Sequence, residues 1–211
     1  MVWLEATVGA QNPVRHNDLM VASEITFSKS RTMALSGVAK ITDGLYLSNA
    51  FAANNKAVLT AYGITCVINV SLEKSRNVSP EREYLHFPVT DTPSSFLFEY
   101  FDTVADKIHS VEASGGRTLV HCSAGISRSP TLCLAYLMKY KNQSLLVAHN
   151  WLKTCRPIIR PNNGFWEQLI RYETKLFGNN TIRMVISPIG PVPNIYLEET
   201  KNMITFWNTK M

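Results

Sequence analysis

Between Thr118 and Leu132 the chain reads TLVHCSAGISRSPTL: a short apolar run, a loop holding Cys122, Gly125 and Arg128, and the start of a second apolar run. A loop that turns from strand into helix points several backbone N–H groups inward, and the positive end of the helix dipole adds to their field. Such a loop cradles an anion. A cysteine at its base feels the same field, which favours thiolate over thiol and makes Cys122 a ready nucleophile. Gly125 allows a backbone conformation and a close approach that a side chain would obstruct. Arg128 follows the cysteine by six residues and brings a planar guanidinium that can hold two oxygens of one phosphate, a fork that lysine lacks. The five residues between them, Ser123, Ala124, Gly125, Ile126 and Ser127, are uncharged.

Several elements must position this loop. Thr118 to His121 is expected to be a covered strand, and Ser127 to Tyr140, apolar nearly all round, a helix in the middle of the domain. Thr65 to Val70 and Tyr84 to Val89 read as further strands buried on both faces. Ala39 to Leu47 alternates around Thr42, Asp43 and Gly44, as a hairpin does. Asn54 to Tyr62 looks helical and is closed by Gly63. Leu97, Phe101, Val104, Ile108 and Val111, spaced by four and three, mark a core-facing helix that ends at Gly115 and Gly116. Leu145, Ala148, Leu152 and Cys155 mark another, and Phe165, Leu169, Tyr172 and Leu176 a third, with Pro157 and Pro161 between them. Strands separated by helices predict an α/β domain with a central, mostly parallel twisted sheet of about five strands flanked by helices.

The 211 residues, 45% hydrophobic and 18% charged, suffice for one substantial core with extensions. Residues 1–33 read as a flexible leader, 34–180 as the domain, and 181–211, with Pro188, Pro191 and Pro193, as an extension packed on the domain or partly disordered. The formal net charge of +5 is dispersed rather than gathered into a stripe, so nucleic acid is not favoured. No apolar run approaches the length of a bilayer span, and the first residues lack a secretory pattern. A cytoplasmic or nuclear address is expected. Four cysteines in such a setting read as free thiols, with Cys66, Cys133 and Cys155 as small buried hydrophobes. Asn-x-Ser/Thr matches at Asn69, Asn77, Asn142 and Asn179 are discounted as glycosylation sites, since Asn69 lies inside an apolar strand pattern.

HCSAGISRS resembles the His-Cys-x5-Arg-Ser/Thr loop of the cysteine-dependent protein tyrosine phosphatases, in the strand-to-helix context that the loop requires. The resemblance runs from about Gly37 to Gly178 and is similar to the small atypical dual-specificity phosphatases. LAYLMKY and RPIIRPNNGFWEQLI resemble the subgroup containing dual specificity phosphatases fourteen, eighteen and twenty-one. It implies a protein tyrosine phosphatase-like fold and removal of phosphate from phosphotyrosine and from phosphoserine or phosphothreonine through a phosphocysteine. By the same resemblance Asp91, in HFPVTDTPSS, is the general acid and then base. Ser129 would hydrogen-bond the sulfur, and His121 would sit beneath the loop and hold its shape. Asn69, in VINVS, and Asn162, in RPNNGF, would brace the loops around the site. The partners implied are phosphorylated proteins, MAP-kinase pathway members among them. No metal or organic cofactor is implied, because nucleophile, acid and charge clamp are all side chains.

Duller readings stand beside these. An aspartate before Thr-Pro is more often a turn residue than an acid, and the resemblance is what favours catalysis for Asp91. Asp102 and Asp106 fall on a helix and are poorer candidates. His16, His86, His109 and His149 lack metal-ligand spacing and suit structural or surface roles. Trp151 and Trp166 read as core or near-core aromatics. A phosphoprotein-binding module without catalysis would need the cradle but not the nucleophile, serine and acid. A phosphoinositide or RNA 5′-phosphate substrate would favour lysines in the loop, where this chain has none.

Overall fold

The computed structural model describes residues 37–75 and 79–200. The leader, His16 and the Asn77 sequon lie outside the described residues. At the centre is a five-stranded sheet built from β1 (Val38–Lys40), β2 (Leu45–Asn49), β3 (Cys66–Asn69), β4 (Glu83–His86) and β5 (Thr118–Cys122), in the order β1-β2-β5-β3-β4. β1 and β2 form the expected antiparallel hairpin, and the remaining pairs are parallel. β5, the strand carrying the cysteine, lies in the middle with every residue buried, as its unbroken apolar run requires. β4 stops at His86, short of the expected Val89, because Pro88 cannot donate to a ladder.

Between strands run α1 (Ala50–Ala53), α2 (Lys56–Ala61) and α3 (Phe98–Ala113); after β5 come α4 (Arg128–Lys141), α5 (Leu145–Cys155) and α6 (Asn163–Phe177). α4 is buried from Arg128 through Met138 and packs against α3, α5 and α6. Each large apolar side chain buried there contributes about 1.5–3 kcal/mol, so this helix and the strand before it are the core, and the loop between them inherits its rigidity. Asn142, at φ +51°, ends α4 in the left-handed conformation that asparagine tolerates. Val111 and Leu176 are only half-buried, and Trp151 is 45% exposed, its indole N–H donating to Ile41 O at 3.0 Å, so it edges the core rather than filling it. Cys155 is half-buried, unlike the buried Cys66 and Cys133.

Beyond α6, where no periodicity signalled an element, β6 (Met184–Ser187) and β7 (Gly190–Pro193) form an antiparallel ribbon followed by a 3-10 turn, Asn194–Tyr196. Prolines are tolerated there because a two-stranded ribbon leaves outward N–H positions unused. Tyr196 packs against His149 and Trp166 with ring centroids 6.0 and 5.7 Å away, and the Arg160 guanidinium covers its ring at 4.4 Å. Among the described residues no helix is long and apolar enough to cross a membrane.

Candidate active site

Cys122 ends β5 opposite Asn49 of β2 and is 1% exposed. Its Sγ receives two donors at 3.2 Å, the Gly125 N–H and the Ser129 hydroxyl. Both are hydrogen-bond donors directed at the sulfur. Gly125 has φ +69°, and a methyl group there would lie 2.5 Å from the Ser48 carbonyl oxygen, so conformation and space both demand glycine. The Ala50 N–H donates to Ser123 O at 3.0 Å and the Val70 N–H to His121 O at 2.8 Å, stitching the loop to the ends of the neighbouring strands.

Arg128 opens α4 and is only 8% exposed. It donates through Nη1 to Val89 O at 3.0 Å and through Nη2 to Ser123 Oγ at 3.1 Å. Its Nε lies 3.6 Å from Asp91 Oδ2 and has no hydrogen-bond partner. Two fixed edges therefore aim the third donor at the Asp91 carboxylate. Asp91 Oδ1 accepts from Ser127 Oγ at 2.7 Å and from Asn162 Nδ2 at 2.9 Å. Asn162 is also the N-cap of α6, its Oδ1 accepting from the Phe165 N–H at 3.1 Å while its own N–H donates to Ser127 Oγ at 3.2 Å. The structure thus forms two sets of contacts on one loop, Cys122 with Ser129 and Asp91 with Ser127, Arg128 and Asn162, joined by the backbone from Cys122 to Ser129.

His121 and Asn69 sit one layer back. His121 is buried, with Nδ1 3.3 Å from Cys122 O, and burial pulls its imidazole down to about 4. Asn69 donates to Glu73 O at 2.7 Å and accepts from Ser71 Oγ at 2.7 Å, fixing the turn after β3. Asp102 is elsewhere, bonded to Lys139, Lys175 and Tyr172, and the first two hold its carboxyl well below the usual range.

Two residues of the site had no sequence signal. Arg156, 5% exposed, donates through Nε to Gly125 O at 2.8 Å, through Nη2 to Ala124 O at 3.2 Å and through Nη1 to Gly37 O at 3.2 Å. It grips the back of the loop and turns those carbonyls away from the cradle, leaving the N–H side inward. Gln168 ties the acid loop to α6: its Oε1 accepts from the Leu97 and Phe98 N–H groups at 2.8 Å each, and its Nε2 donates to Ser95 O at 2.9 Å. A Cβ at Gly164 would run into the Pro93 carbonyl, so glycine lets the acid loop lie directly on the first turn of α6.

A family model described as "Dual specificity phosphatase, catalytic domain" matches residues 45–175. The chain belongs to the dual specificity phosphatases. It is 57% identical over 174 residues to human dual specificity protein phosphatase 18, covering 82% of this chain and 93% of that one. Human dual specificity protein phosphatase 21 is 50% identical over 189 residues, 88% of this chain and 100% of the relative. The crystal structure of a mouse dual specificity phosphatase complexed with zinc tungstate superimposes with a TM-score of 0.65 at 35% identity, covering 68% of this chain and 90% of that one. The chain is thus a protein phosphatase of the cysteine-dependent tyrosine phosphatase superfamily, atypical in type and of the subgroup of phosphatases 14, 18 and 21.

Proposed function

We propose that this phosphatase hydrolyses phosphotyrosine and phosphoserine or phosphothreonine in proteins through a phosphocysteine on Cys122, with Arg128 clamping the phosphoryl group and Asp91 moving the protons. The observation that carries this reading is the convergence on one sulfur of the Gly125 N–H and the Ser129 hydroxyl, beside an arginine whose Nε faces a carboxylate bonded to the same loop.

In the first step the Cys122 thiolate attacks phosphorus and the bond to the substrate oxygen breaks. Asp91 enters this step protonated and gives its proton to the departing oxygen. Oδ1 is already occupied by Ser127 and Asn162, so Oδ2 is the oxygen that carries the proton. In the second step the Asp91 carboxylate takes a proton from water, the resulting hydroxide attacks phosphorus, and the S–P bond breaks to return the thiolate. The Ser129 hydroxyl stabilises that departing sulfur. Arg128 and the backbone N–H groups of the loop hold the equatorial oxygens, over which the charge of the phosphoryl group is spread in both transition states. His121 and Asn69 maintain the loop and its neighbour, and Asn162 maintains Asp91.

The mouse relative's complex with tungstate, a tetrahedral oxyanion, supports an oxyanion cradle here. Partners are phosphorylated proteins, MAP-kinase pathway members among the candidates. Hydrolysis of an aryl phosphate and of a phosphopeptide by the intact chain and by Cys122→Ser tests the reading. Turnover abolished by Cys122→Ser, with phosphopeptide binding retained, supports it; binding by the intact chain without cysteine-dependent turnover would make the protein a phosphoprotein-binding module instead.

A further inference from the structure

Among the described residues four serines or threonines stand directly before a proline: Ser79, Thr92, Ser129 and Ser187. Ser79, Ser129 and Ser187 are closed to solvent, at 8%, 0% and 6% exposure, and the Ser129 hydroxyl is already committed to the Cys122 sulfur. Thr92 is the exposed one, and it follows Asp91 directly. Asp91 is tethered to Ser127 and Asn162, and the Ser95 carbonyl to Gln168; between these anchors Thr92, Pro93 and Ser94 are all exposed. The Thr92 hydroxyl is bonded to two other side-chain hydroxyls of its own loop, Ser94 at 3.2 Å and Ser95 at 2.8 Å, so engaging it elsewhere breaks no bond to the core or to the cradle. The proline adds two further properties. It disfavours the helical conformation for Thr92, and it brings no N–H that would be left unpaired when the segment lies extended in another enzyme's cleft. An exposed hydroxyl on an extended residue ahead of proline is the form in which a proline-directed protein kinase takes its substrate.

We infer that Thr92 is a phosphoacceptor site for a proline-directed protein kinase, and that a phosphate placed there restrains the catalytic site beside it. The γ-phosphoryl group of ATP passes to the Thr92 hydroxyl: the Oγ1–P bond forms, the bond from phosphorus to the ADP oxygen breaks, and the hydroxyl proton leaves to the kinase's base. The product carries a charge of about −1.5 to −2 on the residue next to Asp91. Adjacent Cα atoms are about 3.8 Å apart, so this charge stands on the order of one Debye length, about 8 Å, from the Asp91 carboxylate and from the Arg128 Nε that faces it. A substrate phosphoryl group, itself a dianion, must reach the same guanidinium and would meet like charge there. The effect therefore falls on KM more than on kcat. The restraint rests on the phosphatase reading above, whereas the modification itself does not.

The test begins with the full chain carrying Cys122→Ser, which cannot strip its own phosphate. It is incubated with magnesium ATP and an activated MAP kinase or, separately, a cyclin-dependent kinase, and the modified residue is mapped by mass spectrometry. Phosphate on Thr92, abolished by a further Thr92→Ala and largely lost in Pro93→Ala, is the expected result. No phosphate on Thr92 with either kinase, or incorporation there that survives Pro93→Ala undiminished, overturns the assignment. The intact chain is then thiophosphorylated with ATPγS, because a thiophosphate resists hydrolysis, and assayed on a small aryl phosphate. Its kcat/KM is expected to fall by about tenfold, chiefly through KM, while Thr92→Ala taken through the same treatment keeps the value it had before. An unchanged kcat/KM at high occupancy of Thr92, or an equal loss in treated Thr92→Ala, overturns the restraint. Absence of Cys122-dependent turnover in the untreated chain is a different result: it removes the phosphatase roles and the restraint with them, and leaves the mapped site standing.

Discussion

Cys122 to Arg128 and Thr90 to Leu97 face each other across one guanidinium, but they are held by different means. The first is a continuation of the central strand and of the most buried helix, stitched to β2 and β3 by backbone bonds and backed by Arg156. The second is largely exposed and is tied down by three side chains, Ser127, Asn162 and Gln168. Cys122, the proposed nucleophile, is therefore positioned by the fold itself, and Asp91, the proposed acid, by replaceable tethers. Binding and the placement of the sulfur should be robust to changes in the Asp91 loop, while proton transfer should be tunable through its tethers.

Removing the acid itself is the widest probe of that contrast. Asp91→Asn should lower kcat on a phosphopeptide by about 10²- to 10⁴-fold, the usual worth of a placed general acid, and much less on an activated aryl ester whose leaving group hardly needs a proton. Steady-state rates on both substrates check this, and equal losses would show that Asp91 is not the proton donor. On the other side, Gly125→Ala should destabilise the fold by roughly 2–4 kcal/mol, from left-handed strain and overlap with Ser48. It should cost about 10²-fold in kcat on both substrates alike, because it displaces the nucleophile rather than the acid. Urea denaturation and the two-substrate comparison measure these effects.

Acid should also find the nucleophile side. Burial holds His121 and His149 at about 4, against an ordinary histidine value near 6.5. Above about pH 6.5 both are neutral whether folded or unfolded and contribute nothing to pH dependence. Below it the unfolded chain takes up protons that the folded chain refuses, so stability falls until about pH 4, by about 3 kcal/mol for each imidazole. Urea midpoints measured from pH 7 to 4 should show the decline, and His121→Gln should flatten it by about half. The smallest effect belongs to a tether. Gln168→Ala leaves the Leu97 and Phe98 N–H groups without their acceptor and should cost about 1–3 kcal/mol in stability. It should lower kcat on phosphopeptides a few-fold and leave the rate on activated esters nearly as it was. A tether variant that harmed both substrates equally would erase the distinction between the two loops.

What could be read from the sequence follows the same division. The strand, loop and helix around Cys122 are contiguous, so apolar run, glycine, arginine and second apolar run state their geometry within fifteen residues. The β1–β2 hairpin and the strand at Thr65 to Val70 were legible for the same local reason. Asp91 was legible only by resemblance: nothing within HFPVTDTPSS marks an acid, and the groups that orient it are 36 and 71 residues away. Arg156 and Gln168 were silent because their meaning lies in carbonyls and N–H groups brought near by tertiary folding. The C-terminal ribbon was hidden by its prolines, which normally argue against strands, and Trp151 by the expectation that tryptophan seeks the interior.

The grip of Arg156 reaches in two directions, to Ala124 and Gly125 in the catalytic loop and to Gly37 at the start of the first strand. One side chain thereby couples the point where the polypeptide enters the domain to the scaffold of the reacting sulfur. Loss of that one guanidinium would release the Ala124, Gly125 and Gly37 carbonyls together, loosening the chain's first described residue and the loop in the same event.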